Sequence, residues 1–148
     1  MKVSVYSFSY KRGLPADPTG NGGGFVFDCR VLPNPFWVKE LRGFTGRDQP
    51  IGDFFAKHQT EADGFLRPIR ELVLNSVRAY EEEGRGHLFV AFGCTGGQHR
   101  SVYCAERFAA MLKAEGRCEV ELVHAAQTYW KGWRQCVGEG ADATRAPT

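Results

Sequence analysis

The sequence predicts one α/β domain, a sandwich whose central, largely parallel or mixed sheet is flanked by helices. Three observations carry this. Short runs of strand length recur, either alternating or continuously apolar. Between and after them lie longer stretches with apolar residues at helical spacing. Over residues 87–124 a strand, a helix and a strand follow one another directly, the order that sets two strands parallel. At 148 residues, 43% hydrophobic and 24% charged, the chain has the size and balance of one globular domain with a core.

KVSVYSFSY alternates Val3, Val5 and Phe8 with small polar residues and reads as the first strand. KRGLPADPTGNGGG, rich in Gly, Pro, Asp and Asn, is a long loop whose length points to function or mobility. GFVFDCRVL reads as a second strand stopped by Pro33-Asn34-Pro35. On that strand Asp28 and Arg30 are two apart and share a face, either as a salt bridge or as ligand groups. Asp48 is placed to cap a short helix through DQPIGDFFAKHQ, with Pro50 in its first turn. The next helix carries Phe65, Ile69, Leu72, Val73, Val77 and Tyr80 at helical spacing and ends at Gly84 and Gly86. HLFVAFG is a strand apolar on both faces. SVYCAERFAAMLKAEG is a helix with Val102, Ala105, Phe108, Ala109 and Leu112 on one side, stopped by Gly116, and CEVELVH is a further strand. Trp130 and Trp133 are assigned to core packing rather than to an oligomer interface. The domain is expected over residues 1–137, and GEGADATRAPT, residues 138–148, as a disordered tail.

Several function classes drop out on composition. A net charge of +2 announces neither a nucleic-acid nor a membrane partner. No run approaches a membrane span, and the N-terminus lacks the apolar core of a signal peptide. Five cysteines without a CxxC pair support neither a zinc site nor a disulfide framework, so reduced thiols and a cytoplasmic location are expected. His58, His87 and His124 lack ligand spacing, and neither metal nor cofactor is expected.

Chemistry concentrates in FGCTGGQHRS, Phe92–Ser101. Gly93, Gly96 and Gly97 make a turn between a buried strand and a helix starting near His99 or Arg100, where backbone N–H groups and the positive end of the helix converge. Arg100 supplies a planar fork for phosphate, and Thr95 and Ser101 supply hydroxyls. The stretch therefore reads as an anion site at the carboxyl end of a strand. Cys94-x5-Arg100 also has the spacing of cysteine-dependent phosphatases. Cys94 is then either a nucleophile, with Asp17 as the general acid and Asp28 a weaker candidate, or a buried shoulder of the pocket.

GCTGGQHRSVYCAE resembles the signature of the C-terminal domain of the RapZ (YvcJ, RNase adapter protein) family. SFSYKRGLP, FVFDCRVLPNPFW and LRGFTGRDQP resemble further blocks of that domain in the same order, from about Val3 to about Val123. No GxxxxGK[ST] is present, so the chain looks like a free-standing version of that domain, without the family's nucleotide-binding P-loop domain. The resemblance implies a non-catalytic sensor of a phosphorylated amino sugar such as glucosamine 6-phosphate, or of a related nucleotide sugar. It carries the phosphate pocket onto Thr95, Gly96, Gly97, His99 and Arg100, with Gln98 and Ser101 of the same stretch counted beside them as ligand-binding candidates, and the Asp-x-Arg block onto Asp28 and Arg30. It also implies a homo-oligomer, and an RNA-binding adapter as a further alternative; Lys11, Arg12, Lys39, Arg42 and Arg47, near one another in sequence, are either cations for RNA or a solvated face. Phe36 and Gln98 depart from the family pattern, which often has His or Tyr and Lys at those positions.

Overall fold

The computed structural model describes residues 1–132. The expectations for Trp133, the domain end at residue 137 and the tail lie outside the described residues. Strands β1 (Lys2–Ser9) and β2 (Phe25–Asp28) come first, then helices α1 (Gln49–Ala56) and α2 (Gln59–Glu82). Strand β3 (His87–Cys94), helix α3 (Arg100–Glu115) and strand β4 (Glu119–His124) follow. The four strands form one sheet in the order β2-β3-β1-β4, and every pairing is parallel.

Register decides where the loops meet. Ser9 lies opposite Cys94, Ser7 opposite His124, and Asp28 opposite Gly93. All four strands therefore end at nearly the same level. The segments that follow them collect along one carboxyl edge, which is where parallel sheets bind ligands.

Alternation along the strands sorts two faces. Val3, Val5, Leu88, Val90 and Phe92 join Ile51 and Phe55 of α1, Leu66, Val73 and Val77 of α2, and Phe108 and Leu112 of α3 in one core. The opposite face holds a small cluster of Phe8, Phe89 and Ala91 flanked by Tyr6 and Tyr10. The helices thus pack on a single face among the described residues. The 11–24 loop approaches β3 from its other end, with Asp17 Oδ1 3.7 Å from His87 Nδ1.

Three elements differ from the sequence reading in detail. Strand β2 stops at Asp28, because its carboxylate accepts the backbone N–H of Arg30 at 2.9 Å and turns Cys29–Val31 into a 3-10 helix. Leu72 is 47% exposed, while Ala62, Leu66, Ile69, Val73 and Val77 form the buried stripe of α2. Asp48 does precede α1, but its Oδ2 accepts the N–H of Thr45 at 2.7 Å instead of capping the helix. Elsewhere the punctuation is as read: Gly116 ends α3 at φ +68°, the left-handed region suited to glycine.

Candidate functional site

Residues 95–99 bridge β3 and α3 without regular structure. Their carbonyls are fastened one by one to the surrounding protein. Cys94 O accepts Tyr10 N–H at 3.0 Å, and Thr95 O accepts the Ser9 hydroxyl at 2.6 Å. Gly97 O accepts the Trp130 indole N–H at 2.7 Å, and Gln98 O accepts Gly46 N–H at 2.8 Å. In a planar trans peptide the carbonyl and the following N–H point in opposite directions. Fastening these carbonyls therefore turns the N–H groups of Thr95, Gly96, Gln98 and His99 the other way. Among the described residues, no backbone N–H from Thr95 to Ser101 donates a hydrogen bond. Gly97 makes the turn possible at φ +66°, where a Cβ would lie 2.9 Å from Ser9 and Ala126. The positive end of α3 adds to the same spot.

These donors border a cavity of about 360 Å³, large enough for a sugar phosphate. Among the described residues its lining includes Lys11, Arg12, Arg42, Arg100 and Lys131, and no carboxylate. The cations are held in place. Arg12 stacks 3.7 Å from the Tyr129 ring centroid, and Arg42 lies 4.5 Å from that of Phe36 while its Nε donates to Phe36 O. Arg100, 8% exposed, donates from Nη1 to Arg30 O at 3.1 Å and Leu32 O at 3.4 Å. His99 is buried, and desolvation together with the Arg100 charge pushes its pKa below the usual histidine value, although nearby backbone carbonyls oppose the shift. Its ring is therefore neutral at pH 7, and the positive charge of the site comes from Arg and Lys. Its Nε2 is buried without a hydrogen-bond partner.

Gln98 acts as a clamp. Its amide nitrogen donates toward the carbonyls of Arg42, Phe44 and Lys131, and its oxygen accepts Lys131 N–H. The Cys94 thiol, 3% exposed, donates to the Ser101 hydroxyl at 3.1 Å. Asp28 and Arg30 reach the carboxyl edge but pair with each other, with Arg30 Nη2 2.7 Å from Asp28 Oδ2, and Arg30 stacks on Tyr10. Arg30 holds the Asp28 carboxyl below its usual range, burial opposing. Asp17 does not reach the site. It stands beside His87 at the start of β3, and the strand's seven steps of about 3.3 Å put it on the order of 20 Å from Cys94. Burial raises its pKa, but the Thr19 hydrogen bonds outweigh this and keep it low, the wrong direction for a general acid. Sequence reasoning missed Ser9, Gly46, Tyr129 and Lys131, which lie far from the motif in the chain. It read Trp130 only as core.

A half-buried polar chain backs the loop. Ser7 Oγ lies 2.6 Å from His124 Nδ1, His124 Nε2 lies 2.8 Å from Glu106 Oε1, and Arg47 Nε is 3.2 Å from the same oxygen. The His124 ring packs on Trp130. Burial pushes the Glu106 carboxyl up, but the His124 hydrogen bond and charge outweigh it and leave the pKa lowered. A depressed carboxyl stabilises the fold above its unfolded value of about 4.3, and that contribution is lost as pH falls through the folded value. Glu106→Gln is therefore expected to lose less stability than wild type between pH 7 and pH 3, measured as urea midpoints. Equal losses would show that Glu106 carries no such linkage.

Among the described residues, no three His, Cys, Asp or Glu side chains gather to hold a metal ion, and no helix is long and apolar enough to cross a membrane.

A nucleotide-binding protein of Ruegeria sp. (strain TM1040) is 45% identical over 124 residues, covering 84% of this chain and 39% of the relative. One from Cereibacter sphaeroides is 48% identical over 116 residues, 78% and 36% of the two chains. One from Thermobifida fusca is 44% identical over 124 residues, 84% and 40%. The chain thus spans about two fifths of the length of these relatives. The family model for the RapZ C-terminal domain matches residues 1–128, a span that holds β1 to β4, α1 to α3 and the loop at Thr95–Ser101, and the chain belongs to that family.

Proposed function

We propose that this domain is a non-catalytic binding domain that senses a phosphorylated sugar, either an amino-sugar phosphate such as glucosamine 6-phosphate or a related nucleotide sugar. The observation that carries the reading is the run from Thr95 to Ser101 whose N–H groups donate no hydrogen bond among the described residues, beside a cavity whose described lining holds five cations and no carboxylate. Such a site stabilises a dianion. In this reading the backbone of Gly96, Gln98 and His99, the hydroxyl of Thr95 and Arg100 hold the phosphate from the cavity wall, and Gly97 and the fully buried Ser101 shape the loop behind them. The Asp28–Arg30 pair stands at the rim. The nucleotide-binding names of the relatives support a small phosphorylated ligand as well.

Two features favour binding over turnover. The Cys94 hydrogen is committed to Ser101; Asp17 stands at the far end of β3, and Asp28, the second candidate acid, is locked to Arg30 and held below its usual range. Calorimetry with glucosamine 6-phosphate, with glucosamine as control, tests the reading. Removing one charged phosphate contact costs about 1.5–3 kcal/mol, so Arg100→Ala is expected to weaken binding roughly tenfold to a hundredfold. Thermal melting run in parallel separates that loss from unfolding. Failure of wild type to bind either glucosamine 6-phosphate or UDP-N-acetylglucosamine would sink the proposal, and so would aryl-phosphate hydrolysis that disappears in Cys94→Ser.

A further inference from the structure

We infer that the phosphate loop is one end of a longer site whose other end takes a flat base, which makes the ligand a nucleoside diphosphate or its sugar conjugate. This rests on the anion reading above and adds to it. A second, more open groove of about 570 Å³ adjoins the first and shares Asn34, Thr95 and Arg100 with it. Its character is different: the lining includes Trp37, Val38 and Phe54.

Trp37 is 79% exposed, a large indole left in water at the border of an anion site. Its position is built rather than incidental. Asn34 Oδ1 accepts the N–H of Phe36 at 3.1 Å, Pro35 sits at the first position of the 3-10 turn Pro35–Trp37, and Val38 N–H closes the turn on Pro35 O. The Asn34 carboxamide keeps its NH2 group, which makes no hydrogen bond among the described residues and can donate to a base carbonyl. Arg100 borders both cavities, so a phosphate chain lying over it leads from the loop toward the indole. The first cavity alone suffices for a sugar phosphate. An aromatic shelf connected through a guanidinium suits a base tethered to a diphosphate, because stacking on an indole is favourable for any base and needs no further recognition.

The test compares inorganic pyrophosphate, UDP and UDP-N-acetylglucosamine by calorimetry on wild type, Trp37→Ala and Trp37→Phe. Stacking of one base is worth about tenfold to a hundredfold, so UDP is expected to bind wild type at least about tenfold more tightly than pyrophosphate. Trp37→Ala is expected to erase that advantage while leaving pyrophosphate affinity unchanged, and Trp37→Phe to restore part of it. Equal affinity of UDP and pyrophosphate for wild type would overturn the inference and leave the anion site standing. So would a UDP advantage that survives Trp37→Ala, because the shelf would then not be the seat of the base. If pyrophosphate, UDP and glucosamine 6-phosphate all fail to bind, the anion reading falls and takes this inference with it.

Discussion

Gly46→Ala is expected to destabilise the domain by about 3 kcal/mol or more and to abolish tight anion binding, although residue 46 lies outside the loop. A Cβ at this position would stand 2.3 Å from Tyr103 N, 2.5 Å from His99 O and 2.7 Å from Val102 Cβ. Tyr103 N–H and His99 O are hydrogen-bonded to each other at 2.9 Å, so the added methyl would land on a hydrogen bond of the first turn of α3. Two of those three atoms are backbone and cannot swing aside. The 44–48 segment must then lift away from α3, and Gly46 N–H leaves Gln98 O, one of the carbonyls that aims the loop. The control lies three residues earlier. A Cβ on Gly43 meets nothing within 4 Å, so Gly43→Ala is expected to change the urea midpoint little. If Gly46→Ala were as stable as Gly43→Ala, the close approach of this segment to α3 would be wrong.

The contrast between these two glycines shows what the sequence could and could not reveal. LRGFTGRDQP marks both positions as glycine, and nothing local says that one of them touches a helix more than fifty residues away. Periodicity worked where burial is decided within an element, as in β3 and α3. It failed at Asp28, where a single side-chain hydrogen bond ends the strand early, and at Leu72, which sits one step off the buried stripe. The loop at Thr95–Ser101 was legible because polar and glycine residues directly follow an apolar strand. Its supports were not: Ser9 is 86 positions from Thr95 and Trp130 is 33 from Gly97, and only the parallel register brings them to one edge. Asp17 misled for the same reason. Seven residues after Tyr10 it reads as a neighbour of the carboxyl edge, yet the loop carries it back along the sheet to His87.

Gln98→Glu is the substitution expected to damage the site most for the smallest change in shape. The introduced side chain could still accept Lys131 N–H, but it could not donate to the carbonyls of Arg42, Phe44 and Lys131, and it would set a negative charge against them in a nearly closed space. Each buried acceptor stripped of its donor costs about 1–3 kcal/mol, so a loss of about 3 kcal/mol or more is expected at pH 8. The loss has a sign with pH. Burial and the facing carbonyls favour the protonated form, so the folded state holds this proton more tightly than the unfolded chain, whose carboxyl titrates near about 4.3. The protein is then expected to regain stability as pH falls from 8 to 5, because the protonated carboxyl can donate again. Gln98→Met, similar in length and uncharged, should show a smaller loss with no such recovery. Urea midpoints at the two pH values distinguish the cases. A deficit in Gln98→Glu that is the same at both would mean that the side chain had swung out to solvent. The three segments meeting at residue 98 would then not depend on its donors. If the recovery is seen, the amide of Gln98, rather than the phosphate-facing side chains, is what holds the 42–44 segment and Lys131 against the loop in the free protein.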